Sequence, residues 1–131
     1  MSNDKSVVFI NKYIIFTKQC NLYLNHFPKF EKYALTNLIR NTLYEVHDLI
    51  TEVRFRYFKK TTFTNLDIKF EKLKMQLKLA YELDYFKFND GHMEKINDKN
   101  LHRYSVLTRM SEEIGKMIGA WIKDSKNKDK W

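Results

Sequence analysis

One proline and three glycines in 131 residues leave this chain almost without the residues that turn a backbone sharply. A sandwich or barrel of short strands needs a turn signal about every 8–12 residues, so long helices joined by few connections remain. The length suits one domain with one core and is too short for two comfortable ones. The fold class expected is therefore all-α, with a single domain over residues 1–123. The last stretch, KDSKNKDKW, is charged and carries no apolar stripe, so residues 124–131 are expected to fray as a tail.

Four segments place apolar residues at the i, i+3, i+4, i+7 spacing of a helix face. The first, about 5–26, carries Phe9, Tyr13, Phe16, Cys20 and Leu24 and stops at Phe27-Pro28, where the chain is forced out of helical geometry. The second, about 29–58, carries Leu35, Leu38, Ile39, Leu43, Val46, Leu49, Ile50 and Val53. A break at Thr61-Thr62-Phe63-Thr64 precedes the third, about 64–86, with Leu66, Phe70, Leu73, Leu77 and Ala80. After the polar stretch FNDGHMEKIND comes the fourth, about 98–123, with Leu107, Met110, Ile114, Met117 and Trp121. Steps that alternate three and four mean a period near 3.5, the pattern of shallow-angle bundle packing. The spacing predicts an up-down-up-down four-helix bundle.

The third segment has a second apolar face. At about 100° per residue, Ile68, Met75, Leu79 and Phe86 fall opposite its core stripe. A helix in a small monomeric bundle needs only one such face, so this one is expected to be an oligomer interface. On the fourth segment Gly115 and Gly119 stand one turn apart beside Trp121. Each costs a helix roughly 0.5–1 kcal/mol relative to alanine, and the expected return is close helix packing around Trp121.

Charge points to a polyanion. The formal net charge is +8, and residues 54–80 hold Arg54, Arg56, Lys59, Lys60, Lys69, Lys72, Lys74 and Lys78 against two acids. His102, Arg109, Lys116 and Lys123 repeat every seven residues, a row of roughly 30 Å on the side of the helix away from the core. Arg40, His47 and Arg54 repeat the same spacing on the second segment. Cations set about 10 Å apart on a rigid rod neutralise successive phosphates of RNA or DNA without reading sequence. A basic face docking an acidic protein is the alternative. In RFRYFKK, residues 54–60, the interleaved aromatics are expected to cap a bundle end, the alternative being stacking on single-stranded bases.

Catalytic signals are sparse. His26, His47, His92 and His102 form no HxxxH or HExxH pair, no phosphate-binding glycine loop occurs, and Cys20 has no second cysteine. No metal and no cofactor are expected. Arg40 and His47 resemble the arginine and histidine of HEPN-type helical ribonucleases, in which arginine steadies phosphate charge and histidine handles protons. Polar residues split the apolar clusters of the N-terminus, which reads neither as a secretion signal nor as a membrane span, so a cytoplasmic protein with no membrane partner is expected.

Three pieces, FPKFEKYAL (27–35), LKMQLKLAYEL (73–83) and EIGKMIGAWIK (113–123), resemble the Avd-like four-helix bundle proteins. That family includes the accessory protein of diversity-generating retroelements and proteins encoded in intervening sequences of 23S ribosomal RNA genes. The resemblance covers about residues 10–123, and in it Gly115, Gly119 and Trp121 match the packing signature and Lys116 its basic position. It implies a basic homopentameric barrel of bundles without enzymatic activity. It further implies binding of nucleic acid and, in the retroelement subgroup, of a reverse transcriptase. The ribosomal intervening-sequence subgroup is the alternative within the family.

Overall fold

The computed structural model describes residues 4–91 and 98–131, with residues 4 and 5 described by their backbone alone. Four α-helices carry the chain, α1 Asp4–Leu24, α2 Leu35–Phe55, α3 Lys60–Glu82 and α4 Lys99–Asn127, with no strand among the described residues. α1 packs on α2 and α4, and α3 packs on the same two, around one core. The fold is all-α, as the apolar periodicity requires. No helix among the described residues is long and apolar enough to cross a membrane.

The stripes read from the sequence form the core. Phe9, Tyr13, Phe16, Cys20 and Leu24 of α1 meet Ile39, Leu43, Val46, Ile50 and Val53 of α2, the predicted residues of α3, and Leu107 and Ile114 of α4 with Ile118, while Met110, Met117 and Trp121 are only partly buried against this core. Burying side chains of this size is the main favourable term in folding, about 1.5–3 kcal/mol each. Leu38 is the exception on α2 and stands exposed. A buried hydroxyl needs a partner, and Tyr13 donates to the Leu43 carbonyl at 2.6 Å. Burial pushes both the Tyr13 phenol and the Cys20 thiol well above their ordinary ranges.

The helix ends depart from the sequence expectation in four places. Pro28 opens a single 3-10 turn, Lys29–Glu31, rather than α2, and α2 begins at Leu35, whose N–H donates to the Glu31 carboxylate at 3.3 Å. The Thr61–Thr64 break does not exist: α3 starts at Lys60. The Thr62 hydroxyl donates to Glu52 at 2.7 Å, and Phe63 is buried edge-on to Trp121 with centroids 5.3 Å apart. α3 stops at Glu82, and Asp84, at φ 61°, turns the chain in the left-handed conformation that aspartate tolerates better than most side chains. The turn folds Phe86 back into the core instead of leaving it on the outer face.

The C-terminal tail is also docked rather than frayed. α4 continues to Asn127, and Trp131 stacks on Phe63 with centroids 6.0 Å apart. The carbonyls of Lys130 and Trp131 accept from the N–H groups of Lys59 and Lys60 at the start of α3, so residues 124–131 belong to the domain. Arg103, unremarked in the sequence, holds the other end. Nearly buried on α4, it donates to the carbonyls of Phe86 and Phe88 at 2.8 and 2.6 Å, lies 3.4 Å from the Asp90 carboxylate and covers the Phe88 ring at 3.8 Å. Residues 92–97 of the polar break, with His92, lie outside the described residues.

Candidate nucleic-acid interface

The sequence row on α4 emerges as a surface row. Asp98 caps the helix by accepting from the Leu101 N–H at 3.0 Å, and Leu107, Ile114 and Ile118 turn one face to the core. The opposite face then carries His102, Arg109, Lys116 and Lys123, all exposed. None has an ion-pair partner among the described residues. The neighbouring Glu113 is taken by Lys12 of α1 at 2.8 Å. Four basic side chains over some 30 Å of one rod thus face water with their hydrogen-bonding capacity unspent.

The α2 row differs. Arg40 is held against α1, its Nε donating to Asn21 at 3.1 Å and its Nη2 to Asn25 at 2.6 Å. His47 lies 3.8 Å from the Asp48 carboxylate, and Arg54 covers the Phe55 ring at 5.4 Å. These three are half-buried, and Arg40 is held inside the fold, so α2 presents no continuous exposed row to match that on α4, although Arg54 makes no ion pair among the described residues.

Residues 54–80 divide in the same way. Lys59 is buried, and its ammonium donates to the carbonyls of Val53 and Arg56, closing the C-terminal end of α2. It is a cap and not a phosphate ligand, which corrects the sequence assignment. Burial, and next the Lys130 ammonium, pull its pKa below the usual lysine range. Lys69 pairs with Glu45 and Lys74 with Glu71, each at 2.6 Å, while Arg56 lies 3.8 Å from Glu52. Lys60, Lys72 and Lys78 are exposed without an ion pair among the described residues.

The outer face of α3 is apolar at three of the four expected positions. Ile68, Met75 and Leu79 are 52%, 61% and 49% exposed, whereas Phe86 is fully buried against Tyr23, Phe27 and Tyr104. A second stripe went unread in the sequence: Val8, Ile15 and Leu22 of α1, seven residues apart and each about half exposed. Its heptad spacing was the available signal, hidden by the breadth of the apolar arc on α1.

The two glycines of α4 do not mediate close packing within the protomer. A side-chain carbon built on Gly115 or Gly119 meets nothing within 4 Å. They follow Tyr104 and Thr108 on the flank of α4 facing α3, where Tyr104 stacks on Tyr81 with centroids 4.5 Å apart. Trp121 does pack as expected, against Phe9 at 5.5 Å and Phe63 at 5.3 Å. The aromatics of residues 54–60 do not cap the bundle end: Phe55, Tyr57 and Phe58 are 75%, 65% and 68% exposed. Among the described residues no three His, Cys, Asp or Glu side chains converge as a metal site.

Comparison with known proteins gives one assignment. The family model described as bAvd-like matches residues 7–125, nearly the whole chain. No curated protein and no solved structure matches it.

Proposed function

The chain belongs to the bAvd-like family, and from that premise we propose that it is a non-catalytic nucleic-acid-binding accessory protein that works as a homo-oligomeric ring. RNA or DNA lies along α4 and is held through its phosphates. The observation that carries this reading is the row of His102, Arg109, Lys116 and Lys123, exposed and without an ion pair among the described residues, set against an Arg40 and a Lys59 whose polar groups are spent inside the fold. Phosphate contacts of this kind supply affinity without sequence preference.

The ring rests on the two apolar stripes. Glu45 meets Lys69, Tyr81 meets Tyr104 and Phe63 meets Trp121, pairings that support an up-down-up-down bundle. In it α1 and α3 sit diagonally, each against α2 and α4, so their outer stripes look to opposite sides. Joining α3 to α3 leaves every α1 stripe in water, and the reverse holds for α1. A contact of α1 on one protomer with α3 on the next covers both, and repetition of such a head-to-tail contact closes a ring when the turn between neighbours divides a full circle. The ring is a pentamer in this reading, and the bound partner on the nucleic acid is a reverse transcriptase.

Replacing Arg109 and Lys116 by glutamate tests the site. Equilibrium binding to a short RNA is expected to weaken at least tenfold with an unchanged circular dichroism spectrum, since neither residue is buried. Unchanged affinity in the folded variant moves the site off α4.

A further inference from the structure

The connection between α2 and α3 ends the bundle in a cluster that phosphate binding by α4 does not use. Phe55, Tyr57 and Phe58 each leave about two thirds or more of their surface in water. Rings this exposed in consecutive turns of chain are unfavourable for an isolated molecule. Cations stand among them: Arg54 over the Phe55 ring at 5.4 Å and Lys130 over the Tyr57 ring at 5.7 Å, with Lys60 exposed beside them. Tyr57 and Phe58 meet edge to face, centroids 4.8 Å apart at 85°, which leaves ring faces open.

The cluster is braced from beneath. Lys59 closes α2 with its buried ammonium, its own N–H donates to the Lys130 carbonyl at 2.8 Å, and the Lys60 N–H donates to that of Trp131 at 3.2 Å. Rings on a fixed support lose little freedom when a flat ligand stacks on them. Position matters as well. Phe63 of α3 touches Trp121 near the end of α4, so the α4 row, running from His102 to Lys123, finishes at this same end of the bundle.

We propose that Phe55, Tyr57 and Phe58 form a base-stacking platform for single-stranded RNA or DNA, receiving the bases of a strand whose phosphates follow the α4 row. The proposal rests on the nucleic-acid reading of α4 and adds to it a preference for unpaired over duplex nucleic acid. Alternating cations and exposed π-faces suit a polyanion that also carries flat rings, and every base offers such a face. Sequence preference is accordingly weak.

The test compares the full-length protein's affinity for a single-stranded oligonucleotide with that for an abasic strand of equal length, which keeps the phosphates and lacks the bases. The normal strand is expected to bind more tightly by about 5- to 150-fold per stacked base. Phe55→Ala with Tyr57→Ala and Phe58→Ala removes that difference and leaves affinity for the abasic strand unchanged. Tyr57→Trp with Phe58→Trp retains it. Equal affinity of the wild type for both strands overturns the platform while leaving phosphate binding by α4 intact, and points the rings toward a protein partner. A preference that survives the alanine variant also overturns it. Failure of wild type to bind either strand removes the α4 reading itself.

Discussion

Charging the outer face of α3 tests how protomers join. Met75 and Leu79 lie on the stripe, 61% and 49% exposed and outside the buried core, so Met75→Asp with Leu79→Asp is expected to leave the fold intact. Full burial of such a side chain is worth about 1.5–3 kcal/mol. Six half-exposed side chains, three from α1 and three from α3, therefore contribute roughly 5–9 kcal/mol per contact, against an association cost of about 4–15 kcal/mol. Removing two of the six forfeits about 1.5–3 kcal/mol, and desolvating the new carboxylates adds at least as much. The contact weakens by more than about a hundredfold, and analytical ultracentrifugation at micromolar concentration is expected to find protomers. Ile15→Asp with Leu22→Asp on α1 gives the same result. Mixing the two variants restores one contact, the intact α3 of one with the intact α1 of the other, and yields a dimer and nothing larger. An α1 variant that keeps the wild-type mass, or a mixture that stays monomeric while the wild type assembles, refutes the head-to-tail contact.

Three further outcomes follow from single side chains. Lys59→Met removes the donor that closes α2 and is expected to lower stability by about 1–3 kcal/mol in urea unfolding; a neutral result contradicts its role as a cap. Gly115→Ala and Gly119→Ala place a methyl group in open space, and each is expected to raise protomer stability by about 0.5–1 kcal/mol. A stabilised protomer that no longer assembles locates a neighbouring subunit at that flank. Cys20, buried and with its thiol pKa pushed up by that burial, stays unmodified by a thiol reagent at pH 8 in the native protein and reacts fully in guanidinium; native modification at a comparable rate places Cys20 outside the core.

The sequence carried the core more faithfully than the helix ends. Periodicity found Phe9 to Leu24, Leu66 to Ala80 and the α4 stripe because burial of one helix face is a sum over many residues, and no single misplacement spoils it. Phe63 and Phe86 were misread because each depends on a distant partner. Two tryptophans, Trp121 and Trp131, bury the first, and the left-handed turn at Asp84 carries the second inward. A helical projection has no information on where the helix stops. Among the basic residues the exposed α4 row was legible from heptad spacing, whereas Lys59 looked like any surface lysine until the carbonyls of Val53 and Arg56 were placed around it. The expectation of close packing at Gly115 and Gly119 rested on spacing alone, which does not say what a helix flank faces, and no neighbour stands within 4 Å of either position in the protomer.

The salt dependence of binding to a single strand bears most directly on pooled charge. Four basic side chains on one α4 and the three cations at the aromatic cluster, Arg54, Lys60 and Lys130, contact seven phosphates at most, which limits the slope of log K against log salt to about −5 for single-stranded nucleic acid. The wild-type assembly is predicted to exceed that limit clearly, and the folded Met75→Asp, Leu79→Asp protomer to fall within it. Equal shallow slopes for the two would contradict the claim that several copies hold one strand.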